Sequence, residues 1–267
     1  LVWFDKPITI LRSTLDWVRR RAPGLRLAAY SPDDMLILPN RTRRWVRCLP
    51  AFDVVFTTKP HNVAPLLGLG ARRVELVKNA YAEETHRPWP RCAADRVSLG
   101  GGIGFVGDFE EARRRSIALL ARSGLRVRIW GPNWSSRWPE PPAGVVIEGR
   151  SLIGDEYARA ICNFDINLAF LRKAARDEIT TRSLEIPACG GFMLAERTAA
   201  QRAMFTEGRE AVFFASDEEL VILCRYFLDH PEEARQIGER GRERCLREGY
   251  GNQARLRQML DRVMAES

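Results

Sequence analysis

Short apolar runs alternate with segments of helical period along most of the chain, and this alternation limits the possible folds most strongly. In the first third, the strand-like runs 25–30 and 53–57 follow segments such as 8–21, where apolar residues recur at helical spacing. After an interruption, the same order resumes at residues 103–106. Strands that alternate with helices at this pace are typical of β-α-β units, so the sequence predicts parallel sheets flanked by helices.

The interruption at residues 83–96 is polar, contains Pro88 and Pro90 and lacks a hydrophobic period, which is typical of a linker. The 267 residues also suit two domains of roughly 100–150 residues each. We therefore expect an N-terminal domain with its linker in residues 1–96 and a C-terminal domain with a helical tail in residues 97–267. Both are predicted to be α/β, doubly wound and Rossmann-like, and to face each other across a ligand-binding cleft.

Charge and cysteine usage exclude some classes of function. The net charge of +8 permits anionic ligands, nucleic acid or a negatively charged membrane surface. In residues 235–257, however, the basic residues alternate with Glu, which indicates a solvated helix face and predicts no nucleic-acid partner. The six cysteines form no C-x-x-C pair, so we expect a reducing, cytoplasmic setting. None of the three histidines is spaced with a second metal ligand, so no metal site is predicted.

The hydropathy pattern contains no run near the ~20 apolar residues of a membrane span, so no transmembrane segment is predicted. The sequence opens directly in a strand-like run at residues 1–4. We therefore expect that residues are missing upstream or that the first domain is shortened.

The stretch 177–191 contains the largest group of candidate ligand-binding side chains. Asp177 and Glu185 flank Thr180, Thr181 and Arg182, which supply hydroxyl and guanidinium donors. A helix beginning here would offer free backbone N–H groups and the positive end of its dipole, which favours an anion. Glu185, one turn further in, could accept hydrogen bonds from a ribose or sugar diol. Plain capping by the threonines and a solvated Glu185 remain the alternative.

A second pattern, Gly102–Gly107, fits G-x-G-x-x-G. In a dinucleotide-binding fingerprint, this pattern follows a strand and begins a helix, and an Asp or Glu that binds the ribose lies about 20 residues later. Here the apolar residues lie between the glycines, and the next strand-like run, 127–130, ends without such an acid. The pattern therefore favours a strand with a tight turn at Gly107, where a phosphate or ribose can approach the backbone.

The order of these landmarks resembles GT-B glycosyltransferases of the family-4 type, and within them the CgeB-like group, over nearly the whole chain. The matching segments are FDVVFTT at 52–58, VKNAY at 77–81, FVG at 105–107, VIEGR at 146–150, the E-x7-E-like stretch 177–185 with Asp first, ACGGFML at 188–194, EGREAVFF at 207–214 and DEEL at 217–220.

This resemblance implies a nucleotide-sugar donor, of the UDP or GDP type, bound mainly by the second domain. Glu185 would hold the ribose. Thr180, Thr181 and Arg182 would hold the diphosphate, with the helix N-terminus replacing a metal. Asp177 would face the hydroxyls of the donor sugar.

The resemblance also places the turn at Gly107 beside the phosphates, with Gly149 and Arg150 flanking the base. The sequence departs from the family's pattern at Asp108, where the family has Arg and where a carboxylate would repel a diphosphate. Arg113, six positions after Gly107, is expected to supply the missing charge.

The acceptor would enter past the first domain, where Asp33, Asp34 and Lys59 follow predicted strands. With Asp177, we expect Asp34 and Lys59 to act in catalysis. A turn role for the acids and a helix-start role for Lys59 remain open. His61 lies near the end of the predicted strand 53–57. Its alternatives are a role as a general base and a place on the surface or at a helix start.

The function implied is metal-independent transfer, with retention, of a sugar from the nucleotide sugar to a glycan, a protein or a small molecule. No cofactor besides the donor is expected. The alternative is a non-catalytic nucleotide-sugar-binding module with a degenerate acceptor domain.

Overall fold

The computed structural model describes residues 1–38 and 40–265. Within them, ten strands are formed: β1 (Val2–Asp5), β2 (Leu27–Ser31), β3 (Val54–Thr57), β4 (Val74–Leu76), β5 (Gly101–Val106), β6 (Val127–Trp130), β7 (Val145–Ile147), β8 (Phe164–Ala169), β9 (Met193–Glu196) and β10 (Val212–Phe214). The same residues form twelve α-helices: α1 (Arg12–Arg21), α2 (Arg43–Cys48), α3 (Val63–Gly68), α4 (Ala93–Ser98), α5 (Glu111–Arg122), α6 (Trp134–Arg137), α7 (Gly154–Asn163), α8 (Arg182–Ala188), α9 (Ala199–Met204), α10 (Asp217–Asp229), α11 (Pro231–Arg247) and α12 (Asn252–Met264).

The chain divides into two compact units. Residues 1–79 form the first unit together with the chain from Gln253 onward, and residues 80–252 form the second. The last helix therefore belongs to the first unit, whereas the sequence pattern assigned it to the tail of the second domain.

The first unit contains a parallel sheet in the order β1-β2-β3-β4. Right-handed crossovers between strands in sequential order place α1, α2 and α3 on one face of the sheet. There they cover a core that includes Leu15, Trp45 and Phe52. Met259 and Val263 of α12 pack on the other face, which would otherwise expose apolar side chains. This burial explains why the chain returns to its first unit.

The second unit contains a six-stranded parallel sheet in the order β10-β9-β8-β5-β6-β7. Numbered within the unit, this is the doubly wound order 3-2-1-4-5-6. The strand order reverses between β5 and β8, which pair directly. Ligands of open α/β sheets bind beside such a reversal, at the carboxyl ends of the strands.

Both faces of the second sheet are buried. In β9, Leu194 belongs to one core cluster and its neighbours Met193 and Ala195 belong to the other. The period of two in a strand explains this division, and it explains why fully buried strands appear as continuous apolar runs. Two parallel-sheet α/β units confirm the expected fold class. The apolar residues between Gly102 and Gly107 form β5, as their pattern predicted.

The segment 83–96 differs from the expected linker. It ends in α4 and is tied to the second unit by hydrogen bonds from Trp89 N–H to Cys162 Sγ (3.3 Å) and from Cys92 N–H to the Asn163 side chain (3.1 Å). Arg91 also pairs with Asp165. Although this segment is polar and lacks a hydrophobic period, it forms specific bonds with residues 162–165 of the second unit. That unit therefore begins at residue 80. Over the described residues, every helix is too short or too polar to cross a membrane.

Candidate functional site

The turns after β5 and β6 meet without side chains between them. Gly107 N–H donates to Trp130 C=O (2.8 Å), and Trp134 Nε1 donates to Gly107 C=O (2.8 Å). Gly131 has a φ of +149°, and a Cβ there would lie 1.9 Å from the Gly107 carbonyl oxygen. Only glycine permits this approach. The two turns are therefore fixed against each other at the carboxyl edge of the sheet.

The absence of a side chain at Gly107 also makes room for Arg182, the first residue of α8. A Cβ at Gly107 would lie 2.7 Å from Phe105 Cζ and 3.1 Å from Arg182 Nη1. The guanidinium carbon of Arg182 lies 5.6 Å from the centre of the Phe105 ring. Its Nε is buried and has no hydrogen-bond partner among the described residues. A buried donor of this kind is costly unless a ligand completes it.

Arg113, in the first turn of α5, is a second guanidinium at this place. It is 3% exposed, and it donates from Nη1 to Asp108 C=O (2.9 Å) and from Nη2 to Leu171 C=O (3.3 Å). It thereby joins the loops that follow β5 and β8. Burial, together with the positive charge of Arg182, lowers the pKa of Arg113 to about 10. The group is therefore still a cation at neutral pH.

Arg113 and Arg182 share one aromatic neighbour. The guanidinium carbon of Arg113 also lies 5.6 Å from the Phe105 ring centre, and its Nε also lacks a partner within the described part of the chain. Glu110 lies 3.4 Å from Arg113 and compensates part of the charge. A negative charge beside these two cations would relieve their repulsion and pair with their free Nε–H groups.

Asp108 does not project an uncompensated charge into this site. Its Oδ1 accepts hydrogen bonds from Phe109 N–H (2.7 Å) and Asn133 Nδ2 (2.8 Å). The carboxylate therefore stabilises its own loop, and the expected repulsion of an anion by Asp108 is reduced by these two donors.

The hydroxyl side chains at the start of α8 differ in their exposure to solvent. Thr180 is 7% exposed and its Oγ1 has no partner among the residues described, while Ser183 is fully buried and its Oγ accepts from Thr180 N–H (3.3 Å). Thr181 is exposed, occupies the N-cap position and makes no side-chain cap. The helix begins at Arg182, later than the sequence pattern indicated.

Glu185 is held by two side chains from other elements. Tyr157 Oη, on α7, donates to Glu185 Oε2 (2.9 Å), and His86 Nε2 lies 3.9 Å from Glu185 Oε1. Burial, and next the charge of Glu185, raises the pKa of Tyr157 well above its usual value, so the phenol keeps its proton. Burial lowers the pKa of His86, and the charge of Glu185 opposes that shift. Neither residue was predicted from the sequence, because His86 lies in the presumed linker and Tyr157 lies in an ordinary helical pattern.

Gly149 and Arg150 follow β7 and lie beside the same turns. Arg150 C=O accepts from Gly131 N–H (2.9 Å). The Arg150 guanidinium pairs with Glu156 (2.6 Å) and lies 4.8 Å from the Trp130 ring centre. Gly149 has a φ of +69°. The predicted base-flanking residues thus lie at the edge of the sheet on the side of β6, next to the Gly107 turn.

Asp177 lies in the loop that leads into α8. It is half-buried, and its N–H donates to Arg172 C=O (3.3 Å). This bond closes a turn between residues 172 and 177, in the loop that follows β8.

In the first unit, Asp34 and Lys59 follow β2 and β3, and both are buried. Asp34 Oδ2 lies 3.0 Å from His61 Nε2, and its Oδ1 accepts from Leu36 N–H (3.0 Å). Lys59 N–H donates to Thr57 Oγ1 (3.2 Å). The structure therefore joins Asp34 to His61, two residues that the sequence presented separately.

The part of the chain that the structure describes contains no group of three or more His, Cys, Asp and Glu side chains suited to a metal ion.

Comparison with known proteins supplies a family. A sequence profile described as "Glycosyl transferase-like" matches residues 113–261, more than half of the chain. No curated protein matches the chain significantly.

Solved structures agree in fold. Sucrose-phosphate synthase from Thermosynechococcus elongatus is 15% identical with a TM-score of 0.63, over 99% of this chain and 74% of that one. Anabaena HepE, solved in complex with UDP-glucose, is 11% identical with a TM-score of 0.66, over 95% and 77%. A glycosyltransferase from Rickettsia africae is 10% identical with a TM-score of 0.62, over 96% and 81%. At these identities the likeness establishes the GT-B fold alone.

Proposed function

Because the chain belongs to the glycosyl transferase-like family, we propose that it moves a sugar from a nucleoside diphosphate sugar to an acceptor hydroxyl. The donor is of the UDP or GDP type and is bound by the second unit. The motif order along the sequence supports a place in the CgeB-like group. A structural relative, Anabaena HepE, was solved with UDP-glucose, which supports a UDP-type donor.

The observation that carries this proposal is the pair Arg113 and Arg182 beside the turn at Gly107. Both guanidiniums have a buried Nε without a partner among the described residues, and both lie 5.6 Å from the Phe105 ring centre. A diphosphate would meet two cations beside a glycine turn that carries no side chain. Arginine suits this role because its planar fork donates two N–H groups to phosphate oxygens.

These cations also suit the chemistry of transfer. When the bond between the sugar and the diphosphate breaks, negative charge accumulates on the leaving phosphate oxygens. Arg113 is fixed by two backbone carbonyls before the reaction begins, so little reorganisation is needed to stabilise that charge. The same charge balance is what a divalent cation supplies in other transferases. We therefore propose a metal-independent reaction.

The remaining residues are assigned around the diphosphate. Glu185 accepts the ribose hydroxyls, Thr180 and Thr181 contact phosphate oxygens, and Asp177 faces the donor sugar. Gly149 and Arg150 flank the base, on the side of the turn where Arg150 C=O is bonded to Gly131 N–H.

Asp34 and Lys59 of the first unit act on the acceptor. Both are buried residues that follow parallel strands, where α/β sheets present functional groups. We propose transfer with retention, which NMR of the anomeric proton in the product tests.

The proposal is tested by Glu185→Ala, with the exposed Glu239→Ala on α11 as a matched control. Release of nucleoside diphosphate from a panel of UDP- and GDP-sugars is measured with and without EDTA. Losing a hydrogen-bonded carboxylate should lower kcat/KM about 10- to 100-fold, given ~1.5–3 kcal/mol for bonds to a charged group.

Glu239→Ala and EDTA should leave turnover unchanged. Equal turnover by Glu185→Ala and wild type would refute the site, and loss of turnover in EDTA would refute the metal-independent mechanism.

A further inference from the structure

The carboxylate of Glu185 has a neighbour on each of its two oxygens. Tyr157 Oη donates to Oε2 at 2.9 Å, and His86 Nε2 lies 3.9 Å from Oε1. The rings of His86 and Tyr157 meet edge to face, with their centres 5.5 Å apart. The three side chains come from a loop, α7 and α8 of one unit, so they form one packed cluster.

The backbone fixes the orientation and the tautomer of His86. Ala82 N–H donates to His86 Nδ1 at 3.1 Å. A nitrogen that accepts a hydrogen bond carries no proton, so the neutral ring bears its proton on Nε2. The N–H group therefore lies on the side of the Glu185 carboxylate, within charge–dipole range although beyond hydrogen-bond length. Because burial lowers the pKa of His86, this neutral form is the favoured one.

The number of hydrogen-bond acceptor positions on the Glu185 carboxylate indicates what this cluster can bind. A carboxylate has about four lone-pair positions, two on each oxygen. Tyr157 occupies one position on Oε2, and the His86 N–H lies 3.9 Å from Oε1 without a hydrogen bond, which leaves at least one position on each oxygen for new donors. The two hydroxyls of a ribose diol need that arrangement. A freely rotating carboxylate would lose rotamer entropy when it bound the same diol.

We infer that His86 and Tyr157 are positioning residues that hold the Glu185 carboxylate in the orientation in which it accepts both ribose hydroxyls of the nucleotide. This inference rests on the proposed function and adds two residues to it. Neither residue touches the sugar or the phosphates. Both act through Glu185, so removing either one should weaken ribonucleotide binding while the charge of Glu185 is kept.

Two substitutions of the same histidine separate positioning from packing. The side-chain oxygen of His86→Asn can replace Nδ1 as acceptor for Ala82 N–H, but its amide is too short to reach Glu185. The longer His86→Gln places an NH₂ group where Nε2 lay. Tyr157→Phe removes the hydroxyl and keeps the ring. UDP and 2′,3′-dideoxy-UDP are the probes, because they share the base and diphosphate and differ in the hydroxyls that Glu185 would bind.

Calorimetric titration should show that Tyr157→Phe binds UDP roughly 3- to 10-fold more weakly than wild type, as expected for loss of one hydrogen bond. His86→Asn should bind UDP at least about threefold more weakly, because Glu185 loses the charge–dipole contact that orients its second oxygen. His86→Gln should bind within about twofold of wild type. All variants should bind 2′,3′-dideoxy-UDP equally well, whereas general loosening of the site would weaken both probes alike.

The result that overturns the inference is UDP binding by His86→Asn and Tyr157→Phe at wild-type strength while Glu185→Ala is weakened, or equal losses for both probes. If Glu185→Ala itself binds UDP as tightly as wild type, the proposed function fails instead.

Discussion

At the scale of single residues, the site depends on a side chain that is absent. Gly107 has no Cβ, and the Arg182 guanidinium occupies the space beside it, 3.1 Å from where that atom would lie. The gap leaves room for the Phe105 ring and the Arg182 cation at the carboxyl end of β5, and Arg113 lies at the same ring. In the proposed site, the two arginines pair with the diphosphate and Glu185 accepts the ribose hydroxyls.

Arg182→Ala tests the phosphate part of this arrangement. Removing one of two cations should weaken UDP binding about 10-fold or more, because charge-assisted bonds contribute ~1.5–3 kcal/mol. Uridine, which has no phosphate, should bind the variant as it binds wild type. The exposed Arg202→Ala on α9 is the matched control for loss of one positive charge. If UDP and uridine lose affinity equally, or if Arg202→Ala has the same effect, Arg182 is not a phosphate ligand.

Sequence patterns predicted some of these residues and not others, for a physical reason. Arg182 and Glu185 lie in one local motif, so their ligand roles could be proposed from spacing, and those roles stay predictions. His86 and Tyr157 meet Glu185 only through the tertiary fold, at distances in sequence that no period encodes. Asp34 and His61 were each candidates from the sequence, but their contact with each other was not predicted. That contact arises because β2 pairs with β3.

At the scale of elements, strands were predictable because a strand buried on both faces is a short continuous apolar run. The packing partner of α12 could not be predicted from the sequence. Its amphipathic pattern indicates that one face is buried, but the pattern does not specify the partner. The structure packs Met259 and Val263 on the first sheet, which sequential crossovers had left uncovered on one face.

Helix α11 offers a test of packing at this scale. Gly238 lies in its interior, and a Cβ there would lie 2.6 Å from Gly190 C=O and 3.0 Å from Phe192 N, in the segment between α8 and β9. Helix propensity alone would favour Ala by ~1 kcal/mol. We nevertheless expect Gly238→Ala to destabilise the second unit by about 1–3 kcal/mol, because backbone atoms cannot move aside as side chains do.

Urea unfolding measures this change. Gly102→Ala is the control in the same unit, since its Cβ would make only an ordinary contact of 3.5 Å with Leu228. It should shift stability by less than about 0.5 kcal/mol. A stabilised Gly238→Ala variant would show that α11 can move away from the sheet and that the close contact is not required.

At the scale of the whole molecule, the α/β class with two parallel sheets followed from the alternation of strands and helices. The boundary between the units did not follow, because polar residues 83–96 form specific hydrogen bonds with the second unit rather than a solvated linker. The net charge of +8 also acts at this scale. It attracts polyanions in general, so binding of a nucleotide must be distinguished from binding of any phosphate.

Calorimetric titration of the whole chain with UDP, GDP and pyrophosphate, at about 0.15 M salt to screen surface charge, tests the central claim most directly. Wild type should bind one nucleoside diphosphate at least tenfold more tightly than pyrophosphate, and Glu185→Ala should lose that preference while its affinity for pyrophosphate stays the same. Equal affinities of wild type for all three ligands, or an unchanged preference in Glu185→Ala, would contradict the account.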